Sequence, residues 1–518
     1  MTGTYDIAVV GSGFAGSVMA MILRRLGRSV VLLEKGAHPR FVVGESSTPL
    51  SNLLLEELST RFDLPEVRPL AKWGTWQQTH PGIACGRKRG FTFYHHRLGQ
   101  PDPPDRDRQN QLLVAASPRD EIADTHWFRP DFDHFLVRAA QQLGVDYLEH
   151  ANLKHVIEES DHLQLQGGPG GEPLQIRARF VIDASGARGF LHSALSLGER
   201  ELPGCPPAQA LYSHFSGVRR IADGQGGASR ETPPYPVDDA AVHHIFDGGW
   251  VWVLLFNNGI ASAGVAAVDA VAAQLRLGEG EPAWNRLLDL IPSLREQFSA
   301  AAAVQPFRHI PRLRFCSARI AGHRWALLPS AAGFVDPLLS TGFPLALLGV
   351  ARLTEIFEHN WDSPHLASRL QSYSAQTNRE LLAAARLIAA LYATMNNFPV
   401  FTALTLLYFA AVSYSEAARR LGKAHLAASF LLCDHPGFGP AFTRICEQAQ
   451  HPLTATESAD LLREIAATLE PINVAGLGRP ERHNWYPVET DDLLDKAAKL
   501  GATREEVRQM LHRCGFQP

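Results

Sequence analysis

The feature that most constrains the fold is a glycine-rich turn at residues 11–16, which reads Gly-Ser-Gly-Phe-Ala-Gly. The apolar pattern predicts a strand over residues 5–10, a helix over residues 17–26 and a second strand over residues 29–33. This order is typical of a βαβ unit that binds a dinucleotide, because the start of the helix presents free N–H groups and a partial positive charge to phosphates. We therefore predict a dinucleotide site at this turn.

Residues of the turn are expected to have separate roles. Gly11 makes the tight turn, Gly13 lets the backbone approach a pyrophosphate, and Gly16 lets the helix pack closely on the strand. Ala15 belongs to the same predicted phosphate-binding turn. Glu34 follows the second strand, where its carboxylate can accept a hydrogen bond from a ribose hydroxyl. The alternative, a tight loop that binds nothing, is disfavoured because both strands and the acidic residue are present.

Composition and charge narrow the class of protein. The chain has 518 residues and a formal net charge of -4, which is ordinary for a soluble protein of two or three lobes and gives no sign of nucleic-acid binding. The 6 cysteines form no CxxC pair, which argues against a zinc site and favours a cytoplasmic, reducing compartment. No signal peptide is predicted. Adjacent histidines at 95–96 and 243–244 point to opposite faces of a strand, so we expect no metal site.

The pattern of the whole chain predicts an α/β fold with an α+β insertion. A Rossmann-like dinucleotide-binding domain is expected over residues 1–190, with a substrate-side loop near residues 73–125. An antiparallel β-sheet substrate domain follows over residues 191–320, and residues 321–365 return to the first domain. Residues 366–518 are expected to form a mostly helical C-terminal domain. A glycine-rich hairpin turn is also predicted, at residues 167–172.

One apolar stretch, residues 398–414, is a candidate for contact with a membrane. It is shorter than a usual membrane span, contains Thr402, Thr405 and Tyr408, and continues into charged residues. We therefore expect a buried or partner-facing helix and no membrane association, with attachment to a membrane surface as the weaker alternative.

A second glycine-containing signal, at residues 334–342, has the pattern F-x-x-P-x-x-S-x-G. Between the two signals come an Asp-Ala-Ser-Gly segment at residues 183–186, an inserted sheet and a return strand. This order resembles the FAD oxidoreductases that have the fold of p-hydroxybenzoate hydroxylase. Within that group the chain resembles the flavin-dependent halogenases, in residues 44–49, 70–74, 249–255 and 334–342.

The resemblance implies FAD, used as FADH2, and a halide ion, chloride or bromide. In that chemistry reduced flavin and oxygen give a flavin hydroperoxide, which oxidises halide to hypohalous acid. The implied flavin-binding residues are Gly11, Gly13, Ala15, Gly16, Glu34, Ser46, Ser47, Arg129, Asp183, Phe334 and Pro337. An ion pair at the edge of a helix is the simpler explanation for Arg129. Because no second dinucleotide fingerprint is present, a separate flavin reductase is expected to supply reduced flavin.

Four residues are expected to act on the halide and the acid. Backbone N–H groups of Thr341 and Gly342, at a turn that enters a helix, can hold a halide ion, and Ser340 can donate to the oxidant. The alternative is an ordinary turn that contacts flavin. Lys72 stands where the resembled enzymes keep an essential lysine, so in an apolar pocket its pKa would fall and it could receive hypohalous acid. A solvated loop lysine is the alternative.

Trp250 and Trp252 are two residues apart on a predicted strand, so their indoles share one face. The resemblance implies that this face walls off the space over the flavin, which would suppress hydroxylation of the substrate. Two tryptophans of an ordinary core are an equally good interpretation of the spacing. Leu255 departs from the proline of the family pattern.

The resemblance also bears on the substrate and the partners. Leu339 stands where halogenases of free tryptophan have glutamate, so a phenol or pyrrole is expected, free or tethered to a carrier protein. The basic run at residues 87–89 is expected to be an exposed turn, with contact to an acidic carrier as the alternative. A homodimer is left open, and a role in secondary metabolite biosynthesis is implied.

Two other functions remain open at this point. Pro329-Ser330 replaces the Gly-Asp of the wider family, whose carboxylate meets the ribityl chain of flavin. This departure and Leu255 keep open a hydroxylase or reductase of the same fold. The missing aspartate also keeps open a non-catalytic flavin-fold binding protein.

Overall fold

The protein is built around two large β-sheets covered by helices. A computed structural model describes residues 2–102, 105–168, 173–221 and 232–516. The strands are β1 (Thr2–Val10), β2 (Val30–Leu33), β3 (Cys85–Lys88), β4 (Gly90–His95), β5 (Gln111–Ala115), β6 (Asp124–Trp127), β7 (Asp146–Leu148), β8 (His155–Glu158), β9 (Leu163–Gly167), β10 (Leu174–Asp183), β11 (Ala208–Ser216), β12 (Ala240–Phe246), β13 (Gly249–Leu255), β14 (Ile260–Val268), β15 (Ala302–Ala303), β16 (Arg308–Ile310), β17 (Phe315–Cys316), β18 (Trp325–Leu327), β19 (Gly333–Phe334) and β20 (Trp485–Tyr486). The helices are α1 (Phe14–Arg25), α2 (Pro49–Arg61), α3 (Trp73–Thr79), α4 (Arg129–Gln142), α5 (Phe190–Ala194), α6 (Asp269–Leu275), α7 (Glu281–Leu290), α8 (Pro292–Gln297), α9 (Pro329–Ala332), α10 (Gly342–Asn360), α11 (Leu366–Ala393), α12 (Phe398–Arg420), α13 (Phe438–Gln448), α14 (Ala455–Leu469), α15 (Thr490–Asp495) and α16 (Arg504–Arg513).

The first sheet has the order β7-β2-β1-β10-β9-β8, and β18 pairs with β10. Strand β1 is parallel to β2 and β10, and β18 returns parallel to β10. The predicted βαβ unit and the predicted return strand are confirmed. Strands β9 and β10 are antiparallel neighbours on either side of the hairpin turn predicted at 167–172. Residues 169–172 of that turn lie outside the described part of the chain.

Two glycines of the first turn are required by the close packing of the βαβ unit. Gly11 has φ +100°, and a Cβ atom there would lie 2.6 Å from the carbonyl oxygen of Ala184. A Cβ atom on Gly16 would lie 2.0 Å from the carbonyl oxygen of Gly11. Because both obstacles are backbone atoms, neither position accepts a side chain. The roles predicted for these glycines follow from this packing.

The second sheet has the order β15-β11-β14-β13-β12-β4-β5-β20, with β16 paired to β11. The predicted antiparallel meander is present as β12, β13 and β14. Strands β4 and β5, however, come from the predicted loop at residues 73–125 and extend this sheet through β12. Strand β20, near the C-terminus, pairs with β5. The second sheet therefore draws strands from regions well outside the predicted domain at 191–320.

Helices of the C-terminal region share a core with the first domain. Helix α12 contains the apolar stretch at 398–414, and its side chains, such as Phe401, Leu404 and Leu407, are buried. Each such side chain contributes about 1.5–3 kcal/mol by leaving water. One helix of the described chain, α12, is long and apolar enough to cross a membrane, but most of its apolar window is covered by protein. The prediction of a buried helix is confirmed.

Candidate active site

One apolar cavity of about 360 Å³ brings together most of the predicted site residues. Its wall includes the glycine turn at 13–15, the loop at 44–46, Trp250 and Trp252 of β13, and the turn at 333–337 that leads into residues 340–343. A second cavity of about 540 Å³ is lined by Gly11, Glu34 and Lys35. Residues Arg40, Ala184, Ser185 and Ala187 line both cavities, so together they form an elongated space that suits a dinucleotide.

The glycine turn fits the phosphates of FAD. Gly13 is the N-cap of α1, so the first N–H groups of the helix have no helical partner. A Cβ atom on Gly13 would lie 3.2 Å from Nη2 of Arg129 and 3.6 Å from Nη2 of Arg40, so both guanidinium groups lie close to the backbone of the glycine turn. Nε of Arg40 is buried and has no hydrogen-bond partner. Donors and positive charge thus surround the place expected for a pyrophosphate.

The carboxylate of Glu34 lies at the other end of this space. It accepts hydrogen bonds from the backbone N–H (3.1 Å) and the hydroxyl (2.8 Å) of Ser12, and lies 3.5 Å from Nη2 of Arg40. Burial raises its pKa, but Arg40 and the hydrogen bonds from Ser12 and Gly36 outweigh burial and hold the pKa of Glu34 below its usual value. Glu34 is therefore an ionised acceptor suited to a ribose hydroxyl.

Arg129 lies in the cavity wall and also forms an ion pair. Its Nε and Nη2 donate to the two carboxylate oxygens of Asp133 (2.8 and 2.7 Å), and Nη1 donates to the carbonyl of Gly44 (2.9 Å). The bidentate pair fixes the guanidinium plane. Both interpretations of Arg129 are thus compatible, since the ion pair orients the arginine at the cavity.

Asp183 has a different place from the predicted one. Its Oδ1 accepts from the backbone N–H (2.8 Å) and hydroxyl (2.5 Å) of Ser185, and its Oδ2 accepts from the N–H of Leu191 (2.6 Å). Asp183 is fully buried and does not belong to the described lining of either cavity. It shapes the loop that carries Ala184 and Ser185 into the cavity, so the expectation of direct flavin contact is corrected.

The second glycine-containing turn has an unusual backbone. Leu339 and Ser340 both have positive φ, 64° and 55°, and Thr341 returns to φ -66° before α10 begins at Gly342. Two consecutive left-handed residues with side chains are strained, so the surrounding structure must hold this turn in place. The resulting curve, followed by the free N–H groups of a helix start, forms a concave donor surface of the kind that binds anions.

Residues of this turn face the cavity. Phe334, Pro337, Ser340, Thr341 and Gly342 all line it. A Cβ atom on Gly342 would meet no atom within 4 Å, so the space next to its backbone is open.

The two tryptophans form part of the cavity wall. Trp250 and Trp252 are 1 % and 8 % exposed, and their ring centroids lie 5.6 Å apart on one face of β13. The same-face prediction is confirmed. Leu254, the next residue on that face, also lines the cavity, whereas Leu255 points to the other side of the sheet. The departure at Leu255 therefore lies outside the cavity wall.

The lysine that approaches the cavity is Lys88. Every lysine of the chain lies in the described part, and Lys88 alone is buried, at 0 % exposure. Its Nζ donates to the hydroxyl of Ser46 (2.8 Å) and the carbonyl of Ser47 (2.6 Å), and lies 3.7 Å from the ring centroid of Phe91. Ser46 lines the cavity, so one hydroxyl separates the amine from the cavity wall.

Lys72 lies elsewhere. It is the half-exposed N-cap residue of α3 and does not belong to the described lining of either cavity. Its charge is one of the smaller influences on the pKa of the Cys514 thiol, near the C-terminus. The expectation that Lys72 lies in the catalytic pocket is therefore corrected.

Comparison with known proteins identifies the family. A family model described as tryptophan halogenase matches residues 125–398, more than half of the chain. The chain belongs to the tryptophan halogenase family. A model described as an NAD(P)-binding Rossmann-like domain matches residues 9–49.

Individual relatives are consistent with this family. The tetracycline 7-halogenase of Kitasatospora aureofaciens is 31% identical, with 65% of this chain and 60% of that protein covered. The monodechloroaminopyrrolnitrin halogenase PrnC of Pseudomonas fluorescens is 28% identical, with 65% and 59% covered. The chain thus spans about 60% of the length of these curated relatives. The crystal structure of halogenase PltM in complex with phloroglucinol and FAD has a TM-score of 0.81 at 26% identity, covering 92% of this chain and 99% of that one.

The departure at Pro329-Ser330 is accommodated in this member of the halogenase family. Both residues line the cavity, at the start of α9. A Cβ atom on Gly349 of α10 would lie 2.2 Å from Cδ of Pro329, so the absence of a side chain on Gly349 makes room for the proline ring. Ser330 leaves a hydroxyl where the wider family has a carboxylate.

Three buried polar residues of the cavity wall, Glu45, His243 and Asp336, have no role in the site predicted from the sequence. Oε1 of Glu45 accepts a hydrogen bond from Nε2 of His214 at 2.8 Å, and both side chains are buried. His243 packs 5.3 Å from Trp250, and burial followed by the charge of Lys88 lowers its pKa to about 3, so it is neutral. Asp336 lies next to the second turn. Glu45 lies in the segment at 44–49 and Asp336 in the turn at 334–342. An acidic side chain within each of these motifs was therefore a sequence signal for a polar group in the site.

The buried lysine gives a pH-dependent prediction. Burial lowers the pKa of Lys88 to about 7 in the folded protein, from 10.5, while Asp124 on the neighbouring strand opposes the shift. Between these pH values the unfolded chain binds more protons than the folded one, so stability rises with pH. We expect the free energy of unfolding of the wild type, relative to Lys88→Met, to rise from pH 7 to pH 10. Urea unfolding at several pH values measures this difference, and a flat difference would contradict the burial of the amine.

Proposed function

We propose that the protein is a flavin-dependent halogenase that uses FADH2 and oxygen to chlorinate or brominate an electron-rich aromatic compound. The observation that carries the proposal is one apolar cavity in which the dinucleotide turn, the turn at 337–342 and the tryptophans of β13 meet. Membership of the halogenase family and the likeness to PltM support it. Cytoplasmic location is part of the proposal, because the described cysteines are free thiols.

The residues around the elongated space fit FAD. Gly11, Gly13, Ala15 and Gly16 would hold its phosphates, and Glu34 its ribose. Other contacts proposed for the flavin come from Ser46, Arg129, Phe334 and Pro337. Ser47 is fully buried and its hydroxyl donates to the carbonyl of Thr125, so Ser47, like Asp183, shapes an adjoining loop. Bound reduced FAD supplies, with oxygen, the two-electron oxidation of halide to hypohalous acid.

The halide would be held by the concave turn before α10. Backbone N–H groups of Thr341 and Gly342 are fixed donors, which stabilise an anion without reorganising. The open space beside Gly342 leaves room for an ion close to the backbone. Ser340 lines the same cavity, and its hydroxyl would donate a hydrogen bond to an oxygen atom of the oxidant or of hypohalous acid.

The tryptophans would keep the aromatic substrate away from the oxidant. Trp250 and Trp252 present adjacent indole faces to the cavity, and their burial excludes water. Hypohalous acid is consumed by water and by side reactions, so a dry wall preserves it. This wall also favours halogenation over direct hydroxylation of the substrate.

We assign to Lys88 the role that the resemblance implied for Lys72. With a pKa of about 7, the buried amine is partly neutral near neutral pH and carries a free electron pair. It can therefore donate a hydrogen bond to hypohalous acid, or accept the halogen on nitrogen as the oxygen–halogen bond breaks and the hydroxide leaves as water with a proton of the amine. Ser46 and Ser47 fix the amine, because Nζ donates to both residues.

The substrate is proposed to be a phenol or a pyrrole. Leu339 is fully buried and supplies no carboxylate at the turn, so the ring needs its own oxygen or nitrogen to stabilise positive charge. The name of PltM's ligand, phloroglucinol, is that of a phenol, and one relative is a 1H-pyrrole-2-carbonyl-[peptidyl-carrier protein] chlorinase. A carrier-tethered substrate and a separate flavin reductase belong to the proposal.

Mass spectrometry of a phenol panel tests this function. The protein is incubated in air with FAD, a flavin reductase, NADH, bromide and catalase, and phloroglucinol is included in the panel. We expect enzyme-dependent products with the isotope doublet of bromine, and none without the protein. Incorporation of oxygen in place of bromine would assign the protein to the hydroxylases. The absence of flavin binding, measured by titration, would favour a non-catalytic role.

A further inference from the structure

A buried carboxylate connects the halide turn with the tryptophan wall. Asp336 is 3 % exposed and lies one residue before Pro337, in the wall of the cavity. It is within reach of three separate parts of the fold, which are the turn itself, β13 and α11. The F-x-x-P-x-x-S-x-G pattern gives this position no role.

Both oxygens of Asp336 receive hydrogen bonds. Oδ1 accepts from the backbone N–H of Leu338 at 3.1 Å and from Nε1 of Trp250 at 3.2 Å. Oδ2 accepts from the hydroxyl of Tyr392 at 2.8 Å and lies 3.5 Å from Nη2 of Arg314. Nε1 of Trp250 is also 3.2 Å from the hydroxyl of Tyr392. A carboxylate is the one common side chain that can accept from all of these donors at once.

The charges around Asp336 are balanced inside the protein. The Arg314 guanidinium, itself mostly buried, packs 4.6 Å from the ring centroid of Tyr392 and next to Asp336. Burial raises the pKa of Asp336, while Arg314 and the hydrogen bonds oppose the rise. The donors of Trp250, Tyr392 and Arg314 thus surround one carboxylate, that of Asp336, which belongs to the same segment as the turn.

We propose that Asp336 is a positioning residue that holds the halide-binding turn and Trp250 in a fixed relation. The inference rests on the proposed function. Its hydrogen bond to Leu338 restrains the residue directly before the left-handed pair Leu339 and Ser340, whose conformation is strained and needs support from the surroundings. Its hydrogen bond to Trp250 orients the indole that closes the cavity. Loss of Asp336 would weaken halide binding at the turn and lower the fraction of oxidised halide that reaches the substrate.

Asp336→Asn is the main test, because the volume is kept while one oxygen becomes an NH2 group. In place of Oδ2, the NH2 group would face the hydroxyl of Tyr392 and the guanidinium of Arg314, which are both donors, so the ion pair with Arg314 is lost. We expect an increase of about tenfold in the KM for bromide and a similar fall in halogenated product per flavin oxidised, the size of one charge-assisted hydrogen bond. Flavin affinity is expected to change less than about twofold. Tyr392→Phe, which removes a single donor, should change both quantities in the same direction by less.

Glu380→Gln is a matched control. Glu380 is a buried carboxylate of α11, the helix that carries Tyr392, and it forms a bidentate ion pair with Arg352 (2.6 and 2.6 Å). Its replacement removes a buried charge without touching Asp336 or the turn. We expect a lower melting temperature but the wild-type KM for bromide and the wild-type product yield per flavin.

A second measurement does not need turnover. The melting temperature of the flavin-free protein is followed as bromide replaces acetate at constant ionic strength, because an ion that binds the folded state raises it. The wild type and Glu380→Gln should respond to bromide more strongly than Asp336→Asn. An equal response, together with wild-type kinetics in Asp336→Asn and Tyr392→Phe, would overturn the positioning role. If the wild type forms no halogenated product, the proposed function fails, and the bromide response still decides whether Asp336 supports an anion site.

Discussion

Replacing Lys88 by methionine is expected to lower the yield of halogenated product by about 10²–10⁴-fold, the usual contribution of a positioned proton-transfer group. Methionine keeps most of the side-chain volume, so the buried site between Phe91 and Ser46 remains filled. Oxidation of reduced flavin by oxygen should continue, because the residues that contact the flavin are unchanged. Product is measured by mass spectrometry, and flavin oxidation by absorbance.

Lys72→Met is the matched control for this experiment. Lys72 is half-exposed and lies outside the described cavity linings, so its replacement should leave the yield within about twofold of the wild type. The two variants distinguish the assignment of the catalytic lysine to Lys88, which rests on the structure, from the assignment to Lys72, which the resemblance implied. Loss of product in Lys72→Met with a normal yield in Lys88→Met would reverse our assignment.

Gly16→Ala is expected to lower the affinity for FAD by about a hundredfold, because overpacking at a rigid site costs about 1–3 kcal/mol or more. The added Cβ would lie 2.0 Å from the carbonyl oxygen of Gly11 and 3.0 Å from Cβ of Ala184. The glycine turn at Gly11 and the segment at Ala184 cannot move apart to admit the Cβ atom without displacing the N–H groups at the start of α1. Fluorescence titration measures the affinity, and thermal unfolding should show a lower melting temperature.

Gly82→Ala provides the comparison. Gly82 is exposed, and a Cβ atom there would meet no atom within 4 Å. Flavin affinity and melting temperature should therefore remain close to those of the wild type. If Gly16→Ala bound FAD as tightly as Gly82→Ala does, the close packing of α1 on the turn would not be needed for the flavin site.

The residues around Lys88 explain why the sequence pattern does not point to this lysine. Residues 87–89 read Arg-Lys-Arg between two glycines, which favours an exposed turn. In the structure the run ends β3, and its arginines are neutralised: Arg87 pairs with Asp120 and Asp239, and Arg89 pairs with Asp120 at 2.7 Å. These partners are distant in sequence, so the pattern of the run could not show that its cations are paired. The apolar segment at 91–94, which directly follows, was the available signal for a buried strand.

The domain boundaries show the same limitation. Strands β4 and β5 lie among turn-forming residues and were predicted as a loop near the substrate. They join the second sheet because β4 pairs in parallel with β12, about 150 residues later in the chain. Pairing over such a distance depends on the completed fold rather than on local pattern.

The two turns of this halogenase-family protein could be predicted from local sequence alone. Their glycines, prolines and serines specify local backbone conformations, which depend on residues only a few positions apart. The tertiary structure alone decided that Lys88 approaches the cavity and that Asp336 joins the turn to Trp250 and Tyr392. Burial, charge pairing and a shared hydrogen-bond acceptor are properties of residues brought together from distant parts of the chain, and the folded protein is where they first become neighbours.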